Sequence, residues 1–173
     1  MKTGVVFLLL AFAVGREPEV SYENAFSSVC ALHEIGDVLD LDDTRTAGDQ
    51  ILVADSLVTL DPFPYYREAG EWRMFYDEYP EQTEISIYRA IFLRPIRTLW
   101  HRELARFSRP KDPRGILFFS RPEEGALAAE LFPFHPGVLS YEEYYTSTPS
   151  LKILLLLDPK GAIAGSRTIR LTR

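Results

Sequence analysis

Five aspartates, Asp37, Asp40, Asp42, Asp43 and Asp49, crowd one stretch of the chain and offer the oxygen ligands a hard cation takes. The spacing fails the known loop geometry. A calcium loop opened at Asp40 has Arg45 where the turn needs glycine, and Ile51 where it should close on a bidentate glutamate. The stretch therefore reads as a solvated acidic turn. His33, His101 and His135 have no second ligand at metal spacing, and His33-Glu34 is not followed by the second histidine of a zincin. There is no Gly-Xaa-Ser-Xaa-Gly elbow, and Gly161 to Ser166 lacks the lysine of a phosphate loop. The one cysteine, Cys30, rules out an internal disulfide or a zinc site of paired thiolates. It stands in an apolar helical pattern, which predicts a buried thiol and not a nucleophile. No catalytic residue, metal-ligand set or cofactor is nominated.

Charge is the stronger signal. Residues 16–88 hold four Arg against seventeen acids, a balance of −13, while residues 89–121 hold nine Lys and Arg against two acids, a balance of +7. Arg97 and His101 stand four residues apart, as do Arg102 and Arg106, and a loop adds Arg109, Lys111 and Arg114. On a helix each four-residue pair shares a side. These seven residues are the candidate partner-binding set, suited to an acidic protein or another anionic ligand. The competing expectation is that the acidic half packs against them and cancels their charge. Nucleic acid is not expected, because the net charge is −6 and no nucleic-acid module is present. Tyr65, Tyr66, Trp72 and Tyr76 could line a carbohydrate or peptide groove, or simply pack in the core.

The elements that must position these residues follow from periodicity. Tyr22, Ala25, Phe26, Val29 and Leu32 recur at helical steps within Ser21 to Ile35, with Ser21 as a cap and Gly36 as a stop. Ile51 to Leu60 reads as a strand or hairpin, Asp61 to Tyr66 as an irregular connection, Trp72 to Tyr79 as a strand, and Thr83 to Leu93 as a central strand. Pro95 to Phe107 carries the best helical stripe, Ile96, Leu99, Trp100, Leu104 and Phe107. A Pro-rich basic loop over Ser108 to Arg114 leads to a short buried strand, Gly115 to Phe119. Ser120-Arg-Pro-Glu123 has capping-box spacing for a helix through Leu131, and Ser140-Tyr-Glu-Glu143 has it for a short helix over Tyr144. Leu151 to Leu157, a turn at Asp158-Pro-Lys-Gly161, and Ile163 to Leu171 predict a C-terminal β-hairpin. The fold class expected is α+β, a mainly antiparallel sheet with two or three packed helices.

A second fold is suggested by Ile116 to Pro122 leading into a helix, then Thr148-Pro149 before Leu151 to Leu157 and a last strand. This arrangement resembles parts of a thioredoxin-like domain, an α/β fold, over about the last third of the chain. Glu124-Gly-Ala-Leu127 stands where that family has Cys-Xaa-Xaa-Cys, so no redox chemistry is implied.

Residues 1–15 read as a signal peptide: Lys2 as the positive start, Val5 to Phe12 as an apolar run, and small residues at Ala11, Ala13 and Gly15. The run is shorter than the ~20 residues a membrane span takes, so no stable span is expected. The other assignment is a buried first strand of a cytoplasmic domain. Residues 16–173, with 46% hydrophobic and 25% charged residues over the whole chain, make one globular domain. The expectation is a periplasmic or extracellular, non-catalytic binding or accessory protein, such as an inhibitor or immunity factor. The runner-up is an exported hydrolase with a site of scattered Asp, Glu, His and Tyr.

Overall fold

A computed structural model of the chain describes residues 19–58, 65–68, 71–74, 98–123, 125–144 and 150–170, with backbone alone at 65–68 and 71–74. The expected signal peptide at residues 1–15, the expected strand over Thr83 to Leu93, Arg97, Tyr76 and the side chains of Tyr65, Tyr66 and Trp72 lie outside what is described.

Helix α1, Tyr22–Cys30, starts where Ser21 accepts the Asn24 N–H on its side chain at 3.3 Å. It ends five residues short of the expected limit. A turn at 31–33 intervenes, and a second helix, α2, Glu34–Val38, carries Gly36 inside it and ends at extended Leu39. After an acidic turn region comes a 3-10 turn, Ala47–Asp49, and then β1, Ile51–Val58. β2, Tyr65–Glu68, and β3, Glu71–Met74, form a separate antiparallel pair, so Tyr65 and Tyr66 belong to a strand and not to an irregular connection.

The expected helix over Pro95 to Phe107 is not formed in its described part. Thr98–Trp100 is a strand, β4, paired with Ser56 to Val58 of β1, and the His101 N–H donates to the Asp55 carbonyl at 2.8 Å. A turn and a 3-10 segment, Leu104–Arg106, follow. Of the predicted apolar stripe Leu104 is fully buried, whereas Leu99 is 48% and Trp100 60% exposed. The open edge of β1 supplies ladder partners that the local helical pattern cannot, and tertiary pairing overrides it.

The second correction is larger. β5, Gly115–Glu123, turns back into β6, Ala126–Pro133, where a helix through Leu131 was expected. Gly125, at φ 81°, makes the reversal. Ser120 does not cap a helix. Its hydroxyl donates to the Arg121 carbonyl and accepts the Ala128 N–H at 3.0 Å, filling the ladder at a register shift between Phe119 and Pro122. The irregularity accommodates Pro122, which has no N–H to give. With a strand in place of the helix, the strand–helix junction on which the thioredoxin-like resemblance stood is absent.

A short helix, α3, Tyr141–Tyr144, opens where Ser140 donates its N–H and hydroxyl to the Glu143 carboxylate, at 3.3 and 2.9 Å. β7, Leu151–Leu157, and β8, Ile163–Arg170, close the fold as an antiparallel pair. Asp158 Oδ1 accepts the N–H groups of Lys160 and Ala162 at the turn, and Gly161 takes φ 83°.

The main sheet has the order β4-β1-β5-β6-β7-β8. β1 and β5 run parallel, and the other neighbours antiparallel. The fold is thus mixed α+β with a mainly antiparallel sheet. One face packs Ile51, Val53, Leu117, Phe119, Leu127, Leu131, Leu151 and Ile153 against Tyr22, Ala25 and Val29 of α1 and Ile35 of α2. The opposite face sets Ile116, Phe118, Phe132 and Leu154 against Tyr141 and Tyr144 of α3. Edge-to-face ring pairs, Phe118 with Tyr141 at 5.1 Å and with Phe132 at 5.9 Å, fix that second layer. Covering on both sides explains why β5, β6 and β7 are near-continuous apolar runs without alternation.

Candidate functional site

The acidic turn and the basic loop meet at Gln50, which is fully buried. Its side-chain oxygen accepts the Asp42 N–H at 2.7 Å, and its amide donates to the Asp42 and Thr46 carbonyls at 3.0 and 3.3 Å. Its own carbonyl accepts the Arg114 N–H at 2.7 Å. One side chain thus holds the acidic turn in shape while its backbone anchors the end of the basic loop. Within the turn two of the carboxylates are spent on their neighbours. Asp42 accepts from the Thr44 N–H and hydroxyl at 2.9 and 2.6 Å, which holds its carboxyl below the usual range. Asp49 accepts from the Thr46 hydroxyl at 2.7 Å. Among the described residues no group of three or more His, Cys, Asp and Glu is placed to hold a metal ion.

The basic residues divide by role. Arg109 is a structural clamp: its guanidinium donates to the carbonyls of Val53 and Leu104, the latter at 3.2 Å, while Ser108 donates its hydroxyl to the Ile51 carbonyl. Ser108 takes a positive φ of 49° to make that approach. Together they close the first half of the outer edge of β1, which β4 leaves unpaired. His101 packs its ring 5.1 Å from Tyr22, with Nδ1 buried and unpartnered. Arg102, Arg106, Lys111 and Arg114 are exposed, and none makes an ion pair among the described residues. Arg114 lies close enough to Asp42 to help hold that carboxyl low. The ion pair that joins the two segments is Arg45 with Asp112, at 3.8 Å. Among the described residues no carboxylate of the acidic turn makes an ion pair with a cation of residues 102–114.

Lys111 and Arg114 line an open groove of about 500 Å³. Val38, Leu39 and Asp40 form one wall, Asp112 and Pro113 continue the loop side, and Pro133, Phe134 and Pro136 form the far wall. A smaller cavity of about 260 Å³ lies on the α3 side of the sheet, beside Ala54, Phe118, Leu139 and Tyr141. Neither has a histidine in its described wall.

One polar cluster escaped the sequence reading. Glu130 on β6 and Lys152 on β7 are cross-strand partners joined at 2.7 Å, and the Tyr141 hydroxyl donates to the second Glu130 oxygen at 2.8 Å. Both charges are nearly buried, at 8% and 13% side-chain exposure. The signal was a lone charge in each of two apolar strands, Ala-Leu-Ala-Ala-Glu-Leu-Phe and Leu-Lys-Ile-Leu-Leu-Leu-Leu, which only pairing could satisfy.

No helix among the described residues is long and apolar enough to cross a membrane. Comparison of the chain with family models, curated proteins and solved structures finds no match.

Proposed function

We propose that this chain is a small exported, non-catalytic binding or accessory protein, of the inhibitor or immunity-factor kind. It engages an acidic protein through the exposed cations of residues 102–114. One observation carries the reading: Arg102, Arg106, Lys111 and Arg114 stand exposed without ion pairs among the described residues, while Asp42 and Asp49 are bonded within their own turn. Exposed charges without ion pairs add little to folding and remain available to a partner. A protein partner is preferred to nucleic acid because the net charge of −6 opposes a polyanion at long range. Export, to the periplasm or the exterior, rests on the charge, apolar run and small residues of positions 1–15.

The hydrolase reading has one feature in its favour, the unpartnered buried Nδ1 of His101. Among the described residues that same atom has no carboxylate to orient it, as a general base requires.

The test has two parts. Intact-mass analysis of protein from the native envelope should show cleavage after Ala13 or Gly15; a mass retaining Met1, in a cytoplasmic fraction, rejects export. Tagged protein should capture a partner whose retention falls as salt is raised, and Arg102→Glu with Arg106→Glu should abolish capture while leaving Tm nearly unchanged. Capture indifferent to both salt and the double reversal rejects the binding face.

A further inference from the structure

The groove lined by Lys111 and Arg114 has a chemistry more specific than positive charge. Six of its ten lining residues offer it no backbone donor. Pro113, Pro133 and Pro136 have no N–H, and the N–H groups of Leu39, Arg114 and Phe134 are spent on the carbonyls of Ile35, Gln50 and Arg114. Lys111 Nζ and the Arg114 guanidinium are the charged donors of the wall. Val38, Phe134 and the three prolines give an apolar surface beside them. Of the two acids in the wall, Asp112 is turned to Arg45 at 3.8 Å. Asp40 makes no ion pair among the described residues and accepts without donating. The volume of about 500 Å³ falls in the range of ligand-sized sites.

A simple anion would use the two cations and leave both the apolar wall and Asp40 idle. A segment of peptide uses all three. We propose that the groove takes an extended acidic segment of the partner protein, with a carboxylate between Lys111 and Arg114. An adjacent apolar side chain lies against Phe134 and the prolines, and a backbone N–H is directed to Asp40. This rests on the proposed binding function and names what that function reads. The charge pair gives orientation, the apolar wall gives affinity, and the proline-rich rim is already rigid, so little conformational freedom is lost on binding.

The probe is an acetylated, amidated hexapeptide of alternating Glu and Leu, titrated into the isotopically labelled protein. Its Gln–Leu counterpart and inorganic phosphate serve as comparisons. The Glu–Leu peptide should shift the amide resonances of residues 38–40, 111, 112, 114 and 134. Replacing Glu by Gln should weaken binding about tenfold, which corresponds to ~1.4 kcal/mol. Lys111→Gln with Arg114→Gln, and separately Phe134→Ala, should each reduce binding, while Arg167→Gln, at an exposed position on β8, should not. Shifts mapping elsewhere overturn the proposal, as does equal binding of the Gln–Leu peptide. Displacement by phosphate at concentrations comparable to the peptide's overturns it in favour of a plain anion site. Native-partner capture that survives the groove substitutions but is lost in the Arg102 and Arg106 reversal overturns the groove and leaves the broader binding reading standing. Because the shift map is made on the unaltered protein, the test holds even where a variant folds poorly.

Discussion

The guanidinium of Arg109 donates to the carbonyl of Val53, so its charge stands on the outer edge of β1. The edge of a sheet presents unpaired backbone groups, and a side chain with several donors can close it where a strand does not. This separates Arg109 from the other exposed cations of the segment. Arg109→Ala should destabilise by about 1.5–3 kcal/mol, the range for hydrogen bonds from a charged group. Arg102→Ala and Arg106→Ala should leave Tm within a degree or two. Thermal unfolding of the three single variants checks it, and equal Tm values for all three would show that the clamp contributes nothing.

Glu130 and Lys152 make the sharpest energetic prediction. Removing one member of a nearly buried pair leaves the other charged and unpaired, at a cost of about 3–5 kcal/mol. Glu130→Leu alone, and Lys152→Met alone, should each lower stability by that order. Combined, they should recover most of the loss, because two well-packed apolar residues of similar size need no partner. Denaturant unfolding of the four proteins closes the cycle. Additive losses in the double variant would mean that the two charges do not depend on each other.

What the sequence showed, and what it hid, divides along physical lines. Local chemistry was legible. Ser21 caps α1, Ser140 and Glu143 open α3, and Asp158 and Gly161 shape the last turn, because each involves residues within a few positions. The mainly antiparallel α+β class was also legible, from the strand-like runs. Long-range pairing was not. Thr98 to Trp100 and Ala126 to Leu131 both fit a helical pattern, yet both are strands, since β1 and β5 offer ladder partners distant in sequence. Ser120 misled most: the hydroxyl that suggested a cap completes a bulge instead. Of the candidate site, Arg102, Arg106, Lys111 and Arg114 are exposed, but the helix whose four-residue steps were to set Arg102 and Arg106 on one side is not formed in its described part. The groove and the task of Arg109 depend on how Gln50, Pro133 and Val53 are brought beside the basic loop, and no spacing within it encodes that.

Cys30 lies on α1 against the core cluster, beside Phe26 and Gly48 of the 3-10 turn. Burial pushes its thiol up to about 12, so thiolate is scarce at neutral pH. A disulfide reagent should label Cys30 slowly in native protein at pH 8, and promptly once denaturant opens the core. Rapid native labelling would place the thiol in solvent and contradict the packing.

The contact of Glu34 with Thr168 joins the first half of the chain to its last strand. The Thr168 hydroxyl donates to Glu34 Oε1 at 2.6 Å, and that bond is the main reason the Glu34 carboxyl is held below its ordinary value of 4.5. His33, with Nδ1 3.1 Å from the other oxygen, adds a smaller share. A carboxyl whose pKa is lower folded than unfolded binds fewer protons in the folded state, so stability rises with pH across the interval between the two values. The contribution is therefore whole above pH 4.5 and fades as pH falls through the depressed folded value. Thr168→Val keeps the shape and removes the donor. It should raise the Glu34 pKa toward the ordinary value and flatten the fall of Tm on acidification, with Thr168→Ser restoring much of the wild-type behaviour. Carboxyl-resolved NMR titration of Glu34, run beside Tm measured from pH 6 to about 2, reads both effects below the ordinary carboxylate range. A Glu34 titration unchanged in Thr168→Val would show that another group sets its acidity, and that α2 is not tied to β8 through this bond.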